Sequence, residues 1–251
     1  LNIRKLSFGL VLAVTASGHR QQASAPEAGT PKPEKLIYRL EWRMVTAGDA
    51  TLDLTRVQQN WQINLKLESA GLVSRLFRVE DQYKVTTNER FCAMVSNFEA
   101  QEGKRHAITA QQFDNSKHKL VVDERDFVKK TSQHDEVDIA PCTYEIIGAL
   151  AALRQQHLEA GKSVVMPIAN GKKVANARIE AQAKEAIVVD GKNYSTMRYE
   201  AFIFDGVLFR KKGRAFVWLS DDNERMPVQM RFQMGFPIGN ITLELEKTGK
   251  P

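Results

Sequence analysis

From Leu36 the chain alternates apolar and polar residues. Leu36, Tyr38, Leu40, Trp42 and Met44 fall on one side, with Arg39, Glu41 and Arg43 on the other. That two-residue period belongs to a strand with one buried face. Ala47-Gly48-Asp49 supplies a turn, Ala50, Leu52 and Leu54 continue the pattern, and Trp61, Ile63, Leu65 and Leu67 resume it after Gln59-Asn60. A three-stranded meander is predicted here. Leu72, Val73, Leu76 and Phe77 then break the alternation and fit one helical turn or an apolar loop. Strand-like spacing returns at Val79, Tyr83 and Val85, and further strands are predicted at Met94–Ala100, His106–Phe113, Lys119–Asp123 and Arg125–Lys130.

Thr143 to Leu158 reads differently. Ile146, Leu150 and Leu153 recur at helical spacing in a stretch rich in Ala and Leu, with Pro141 before it, Thr143 as a cap and Gly161 as a stop. Being apolar on most faces, this helix is expected to lie against a sheet. After it come predicted strands at Ser163–Ala169, Ala175–Ala183, Ala186–Val189 and Tyr194–Phe204, punctuated by Asn170-Gly171, Asp190-Gly191 and Asp205-Gly206. Such dipeptides between alternating runs are strong hairpin signals. The closing stretch predicts a strand at Ala215–Leu219, a second with Val228, Met230, Phe232, Met234 and Phe236 on one face, and a third through Ile241, Leu243 and Leu245. Between the first two lies Ser220-Asp221-Asp222-Asn223, four turn-forming residues whose side chains bond nearby backbone. Adjacent aspartates at a polar hairpin tip are solvated alike and lack the divergent proton affinities of a catalytic pair, so Asp221 and Asp222 are read as a hinge. The fold class predicted is all-β and mostly antiparallel: a strongly curved sheet or incomplete β-barrel of about eleven to thirteen strands with one principal helix packed against it.

At 251 residues and 43% apolar content the chain can bury one substantial core. Residues 35–247 are read as a single β-barrel-like domain and 248–251 as a tail. Arg4 and Lys5, an apolar run from Leu6 to Val14 and small residues at Ala16-Ser17-Gly18 have the three-part layout of a secretory signal. Residues 1–18 are therefore expected to be a signal peptide cut after Gly18, and 19–34, rich in Gln, Ala, Pro and Lys, a disordered linker. That places the mature protein in the periplasm or outside the cell, with peripheral or no membrane contact. The net charge of +6 is spread thinly, and its densest clusters, Lys172-Lys173 and Arg210-Lys211-Lys212, sit in predicted hairpin turns. Charged turns keep sheet edges soluble, so no nucleic-acid partner is expected.

Cys92 and Cys142 make an even count, which in an exported chain admits a disulfide, with two buried free thiols as the alternative. The five histidines form no ligand spacing, so no metal and no cofactor are expected. No G-x-S-x-G elbow, H-E-x-x-H pair or phosphate-binding loop occurs. A cysteine with His106 is the one nucleophilic pairing left to consider.

Tyr38-x-Leu40-x-Trp42 followed by Ala47-Gly48-x-Ala50-Thr51-Leu52 resembles the opening of exported bacterial proteins grouped as domain of unknown function 3108. Gly213 to Val228, with Trp218, Ser220-Asp221-Asp222, Arg225 and Pro227-Val228, resembles that family's closing motif, as does a helix ending in Leu153-Arg154. The resemblance covers most of residues 35–247 and implies export and a β fold, with no catalytic residues. The closing hairpin is more remotely similar to those of Lol-type periplasmic lipoprotein carriers, where an incomplete barrel wraps a helix and can shelter acyl chains.

Two classes of function follow. A binding module would hold a lipid, an acyl chain or an apolar peptide in the concave face, lined by Trp42, Trp61, Phe202, Trp218, Met230, Phe232 and Met234. Ordinary core packing is the competing account of each of those residues. The alternatives are a structural envelope protein that docks a partner by a sheet edge, or a hydrolase whose site has no familiar layout.

Overall fold

Alternation becomes strand almost throughout the computed structural model, which describes residues 31–204, 206, 208, 209, 212–235 and 238–251. The stretch read as a leader, 1–18, and residues 19–30 of the stretch read as a linker lie outside these residues. The first half comprises β1 (Glu34–Trp42), β2 (Val45–Val57), β3 (Asn60–Ser69), a short α1 (Gly71–Leu76), β4 (Glu80–Thr87), β5 (Ala93–Glu102), β6 (Arg105–Asp114), β7 (Lys119–Asp126) and β8 (Thr131–Asp138). Next come β9 (Tyr144–Glu145), α2 (Ile146–Leu153), β10 (Ser163–Asn170) and β11 (Lys173–Val189). The chain finishes with β12 (Lys192–Ala201), β13 (Gly213–Ser220), β14 (Pro227–Met234) and β15 (Asn240–Gly249).

All fifteen strands join one sheet in the order β8-β7-β6-β5-β4-β3-β2-β1-β15-β14-β13-β12-β11-β10-β9. Sequence neighbours pair as antiparallel meanders on either side of a central seam where β1 lies against β15. Among the described residues the one parallel contact is β9 on β10. Strong twist curls the sheet until its halves touch. Ala93, Phe113, Leu120, Val122 and Ile139 of the first half pack with Ala169 of β10. The Gln111 amide donates to the Gly171 carbonyl at 3.2 Å, and Lys172 reaches Asp135 at 3.1 Å. Among the described residues no ladder joins the two halves there, so the barrel is incomplete.

The larger core lies between the halves and is sealed at one end by α2, whose Ile147, Ala149, Ala151, Ala152 and Leu153 are buried. Tyr38, Tyr199, Leu219 and Val228 fill the middle with no exposed surface. The Tyr38 hydroxyl, carried inside, donates to the Pro227 carbonyl at 2.9 Å. Cys92 and Cys142 are joined by a disulfide, Cα to Cα 4.7 Å, tying the entry to β5 to the approach to β9. As bonded, neither sulfur is a nucleophile, which removes the pairing with His106. Gly48 lies where β2 shifts register against β1. A Cβ there would stand 1.9 Å from the Glu68 carbonyl oxygen, so the β2–β3 approach requires glycine.

The architecture is the expected one with more strands. β8, Thr-Ser-Gln-His-Asp-Glu-Val-Asp, replaces the strand read at Arg125–Lys130, much of which is a turn. The two runs read at Ala175–Ala183 and Ala186–Val189 form one long β11, bulged between Ala181 and Ala183. The helix spans Ile146–Leu153, shorter than the reading of Thr143 to Leu158, because Tyr144 and Glu145 are taken up by the bridge to Ile168 and Ala169. A second helix, α1, occupies the stretch read as a helical turn or loop.

Candidate functional site

Residues paired across an antiparallel ladder share a face, so the register defines what lines the concave side. One row runs Trp42, Ile241, Phe232, Ala215, Ala201, Ile179 and Val164 across seven strands from β1 to β10. The row beneath it runs Leu40, Leu243, Met230, Val217, Tyr199 and Ala181. Every member is apolar or aromatic. On the other half, Leu52, Leu65, Tyr83 and Phe98 form a third row. Tyr83 and Phe98 stack with ring centroids 3.9 Å apart.

The outer row lies at the end of the barrel opposite α2, and the other two run inward from it, to Tyr199 and to Leu52, which approach the α2 end. Leu40, Leu65, Leu67, Tyr83, Met230, Phe232 and Ile241 are half-buried toward the open end, where their counterparts nearer α2 are fully covered. Phe204 and Phe209, whose centroids are 4.8 Å apart, lie beside the outer row, and Phe204 meets Phe232 edge-on at 6.3 Å. Burial shifts the proton affinity of the Tyr83 phenol upward, so it stays neutral.

The seven aromatics and methionines proposed from the sequence do not converge. Trp42, Met230, Phe232 and Met234 share the concave face at the open end. Trp61 also faces inward, but near α2, buried against Phe91 at 5.8 Å. Trp218 and Phe202 lie on the convex face. Trp218 pairs with Gln229 and alternates with the inward Val217 and Leu219; its indole N–H donates to the Glu185 carboxylate and Arg231 lies 5.3 Å over the ring. Phe202 is partly exposed beneath Arg178 at 3.8 Å. An outward tryptophan is nearly covered, with the Arg231 guanidinium over its ring. The alternation that marked Trp42 also places Leu40 and Ile241, which complete the rows.

The end closed by α2 is polar and tightly tied. Arg154 donates to the Glu34 carboxylate and, through Nε, to the Arg225 carbonyl at 2.9 Å. Arg225 reciprocates to the Arg154 carbonyl at 2.9 Å and reaches the Tyr199 hydroxyl at 2.7 Å. A cleft of about 180 Å³ remains beside them, lined by Glu34, Leu54, Phe91, Ala151 and Arg154. That is below the roughly 300 Å³ of the smaller ligand pockets, and its one buried cation is already neutralised. Asp222 behaves as a turn residue: its Oδ1 accepts from Ser220 Oγ and from the amides of Glu224 and Arg225 at 2.8–3.0 Å.

Two of the buried carboxyls, Glu145 and Asp81, hold their protons more tightly than usual. Glu145 caps α2, accepting the Ile147 amide at 2.8 Å, and burial pushes its proton affinity up to about 7 despite those amides. Asp81 accepts the Gln101 amide at 3.0 Å and is raised to about 6, by burial first and then by neighbouring Glu102. Neither lines the cleft beside Arg154. Among the described residues no three His, Cys, Asp or Glu side chains gather in a way that could hold a metal.

Solved structures resemble this fold. A β-barrel-like protein of domain of unknown function DUF1849 from Brucella abortus matches over 89% of this chain and all of its own, at 12% identity and a TM-score of 0.58. A protein with YmcC-like fold from Bacteroides fragilis matches over 89% of this chain and 98% of its own, at 7% identity and a TM-score of 0.38. No curated protein matches this chain. A family profile covers residues 37–246, spanning the seam, both meanders and the closing hairpin, and by that match the chain belongs to the family described as "Protein of unknown function (DUF3108)".

Proposed function

We propose that the chain is an exported, non-enzymatic binding protein. It shelters a hydrophobic ligand, such as a lipid or acyl chain or an apolar peptide, against the concave face at the open end. The observation that carries this reading is the half-buried part of those apolar rows, Leu40, Val217, Met230, Phe232 and Ile241, where the protein supplies too few side chains to cover them. Deeper in, Tyr38, Tyr199 and Leu219 already fill the space, so the ligand occupies the mouth and does not thread the barrel. Met230 and Met234 add adaptable lining suited to ligands of varied shape. The leader-like layout of the sequence over residues 1–18 supports export.

Native mass spectrometry of the chain produced in a bacterial envelope tests this. The expected result is a bound lipid-like adduct that is lost in Phe232→Arg, with an unfolding transition showing that the variant still folds. A bare wild-type protein, or an adduct equally abundant in the variant, would overturn the proposal and favour a structural envelope role without a small ligand.

A further inference from the structure

Outside the concave face, the open end carries an apolar surface that a ligand in the barrel would leave uncovered. Met44 and Val45 project from the β1–β2 turn, Met44 with 94% of its surface exposed. Beside them α1 holds out Leu72 and Leu76, at 70% and 81%, followed by Phe77 at 53%, and no residue of α1 is buried. The two turns are bound together: Gly48 pairs with Ser69, and the Ala70 amide donates to the Ala47 carbonyl at 2.7 Å. Phe77 lies against the β5–β6 turn at Gly103, whose amide donates to the Arg78 carbonyl at 2.7 Å. Large apolar side chains scattered singly are ordinary on a protein surface; five on adjoining turns form a patch that marks an interaction site.

Basic residues surround it. Arg43, Arg75, Arg78, Lys104 and Arg105 lie on these same turns. Two are balanced by acids, Arg78 by Glu80 and Arg105 by Glu102. Arg43 stacks on Trp42 at 5.1 Å, joining the basic rim to the outermost apolar row. Among the described residues no helix is long and apolar enough to cross a membrane.

We propose that this rim docks on an anionic lipid surface, with Leu72, Leu76, Phe77 and Met44 entering the headgroup region and Arg75 and Lys104 meeting lipid phosphates. Apolar side chains bounded by basic ones are the chemistry of interfacial binding. The same charges oppose the main alternative occupant, since a second copy would bring two basic rims face to face. Docking goes beyond the ligand reading and survives its failure, because an empty barrel carries the same rim.

Site-specific fluorescence on the full chain tests this. The native cysteines are bonded to each other, so an environment-sensitive label can be placed at Leu76→Cys, and on a separate sample at Val188→Cys, an exposed position near the β11–β12 turn, where Asp190 reaches Arg39 of β1. Vesicles of equal parts phosphatidylcholine and phosphatidylglycerol are compared with phosphatidylcholine alone. The emission at position 76 is expected to shift to the blue on the anionic vesicles and fade with added salt, with no shift at position 188. Arg75→Glu with Lys104→Glu should weaken binding by at least tenfold, given about fivefold per basic charge. No shift at position 76, or equal shifts at both positions, overturns the proposal. So does a shift without vesicles that grows with protein concentration, which would assign the patch to self-association.

Discussion

Glu145→Gln should flatten the dependence of stability on pH. Glu145 is buried between the β9–β10 bridge and the first turn of α2, and its carboxylate is offset only by helix amides, with Ile147 at 2.8 Å. Desolvation outweighs those bonds and lifts its proton affinity from the ordinary 4.5 to about 7. At about 1.4 kcal/mol per tenfold change, ionising it costs the folded state about 3 kcal/mol. Below pH 4.5 the group is protonated in both states and the cost is absent. Between 4.5 and 7 the unfolded chain releases the proton while the folded chain keeps it, so stability falls as pH rises. Above 7 the full cost persists. Urea unfolding of both proteins across this range measures the effect, and subtracting the two curves removes contributions from other groups, including the raised Asp81. The wild type should lose about 3 kcal/mol more than the variant between the ends of the range. Parallel curves would refute the assignment of a buried, uncompensated carboxyl to this position.

Two further outcomes follow. Reducing the Cys92–Cys142 bond, or replacing both residues with Ala, reopens a loop of 50 residues; chain entropy sets the loss at about 4 kcal/mol, read as a lower urea midpoint. Gly48→Ala should cost at least about 2 kcal/mol, because its Cβ would meet the Glu68 carbonyl at 1.9 Å and the β2–β3 ladder would have to separate; an unchanged thermal midpoint would contradict the close approach.

The meanders were legible because one buried face writes a period of two into Leu36–Trp42, Trp61–Leu67 and Val228–Met234. β8 was not. As an edge strand it has polar residues on both faces and carries no alternation, only the register that β7 imposes on it. The start of α2 was misplaced for a tertiary reason: Thr143 is the better intrinsic cap, yet its hydroxyl donates to the Ala140 carbonyl and the chain continues as a strand bridge before turning helical at Glu145. For the candidate site, alternation gives two faces but not which is concave when both carry aromatics. On β13, Phe216 and Trp218 are large and Ala215 is small, yet the small residue faces inward. The signal available was across the hairpin, where Gln229 and Arg231 stand opposite Trp218 and Phe216. The exposed rim left almost no mark, because Leu72, Leu76 and Phe77 read only as one helical turn or an apolar loop, with no sign of which side they face.

The seam between β1 and β15 has a consequence for assembly. Each flanking meander can zip up from neighbours in the chain, but the two become one sheet only when Lys35 finds Gly249, more than two hundred residues away. Loop closure grows only logarithmically with length, so joining ends this distant is a modest thermodynamic burden and chiefly a kinetic one. Until the last strand is released, β1 exposes an unpaired edge at the centre of the future sheet, where stray pairing does most harm. The same adjacency makes this fold a natural candidate for circular permutation. A short linker from the end of β15 to the start of β1, with new termini at the Asp190-Gly191 hairpin, would turn the slowest long-range pairing into a local one.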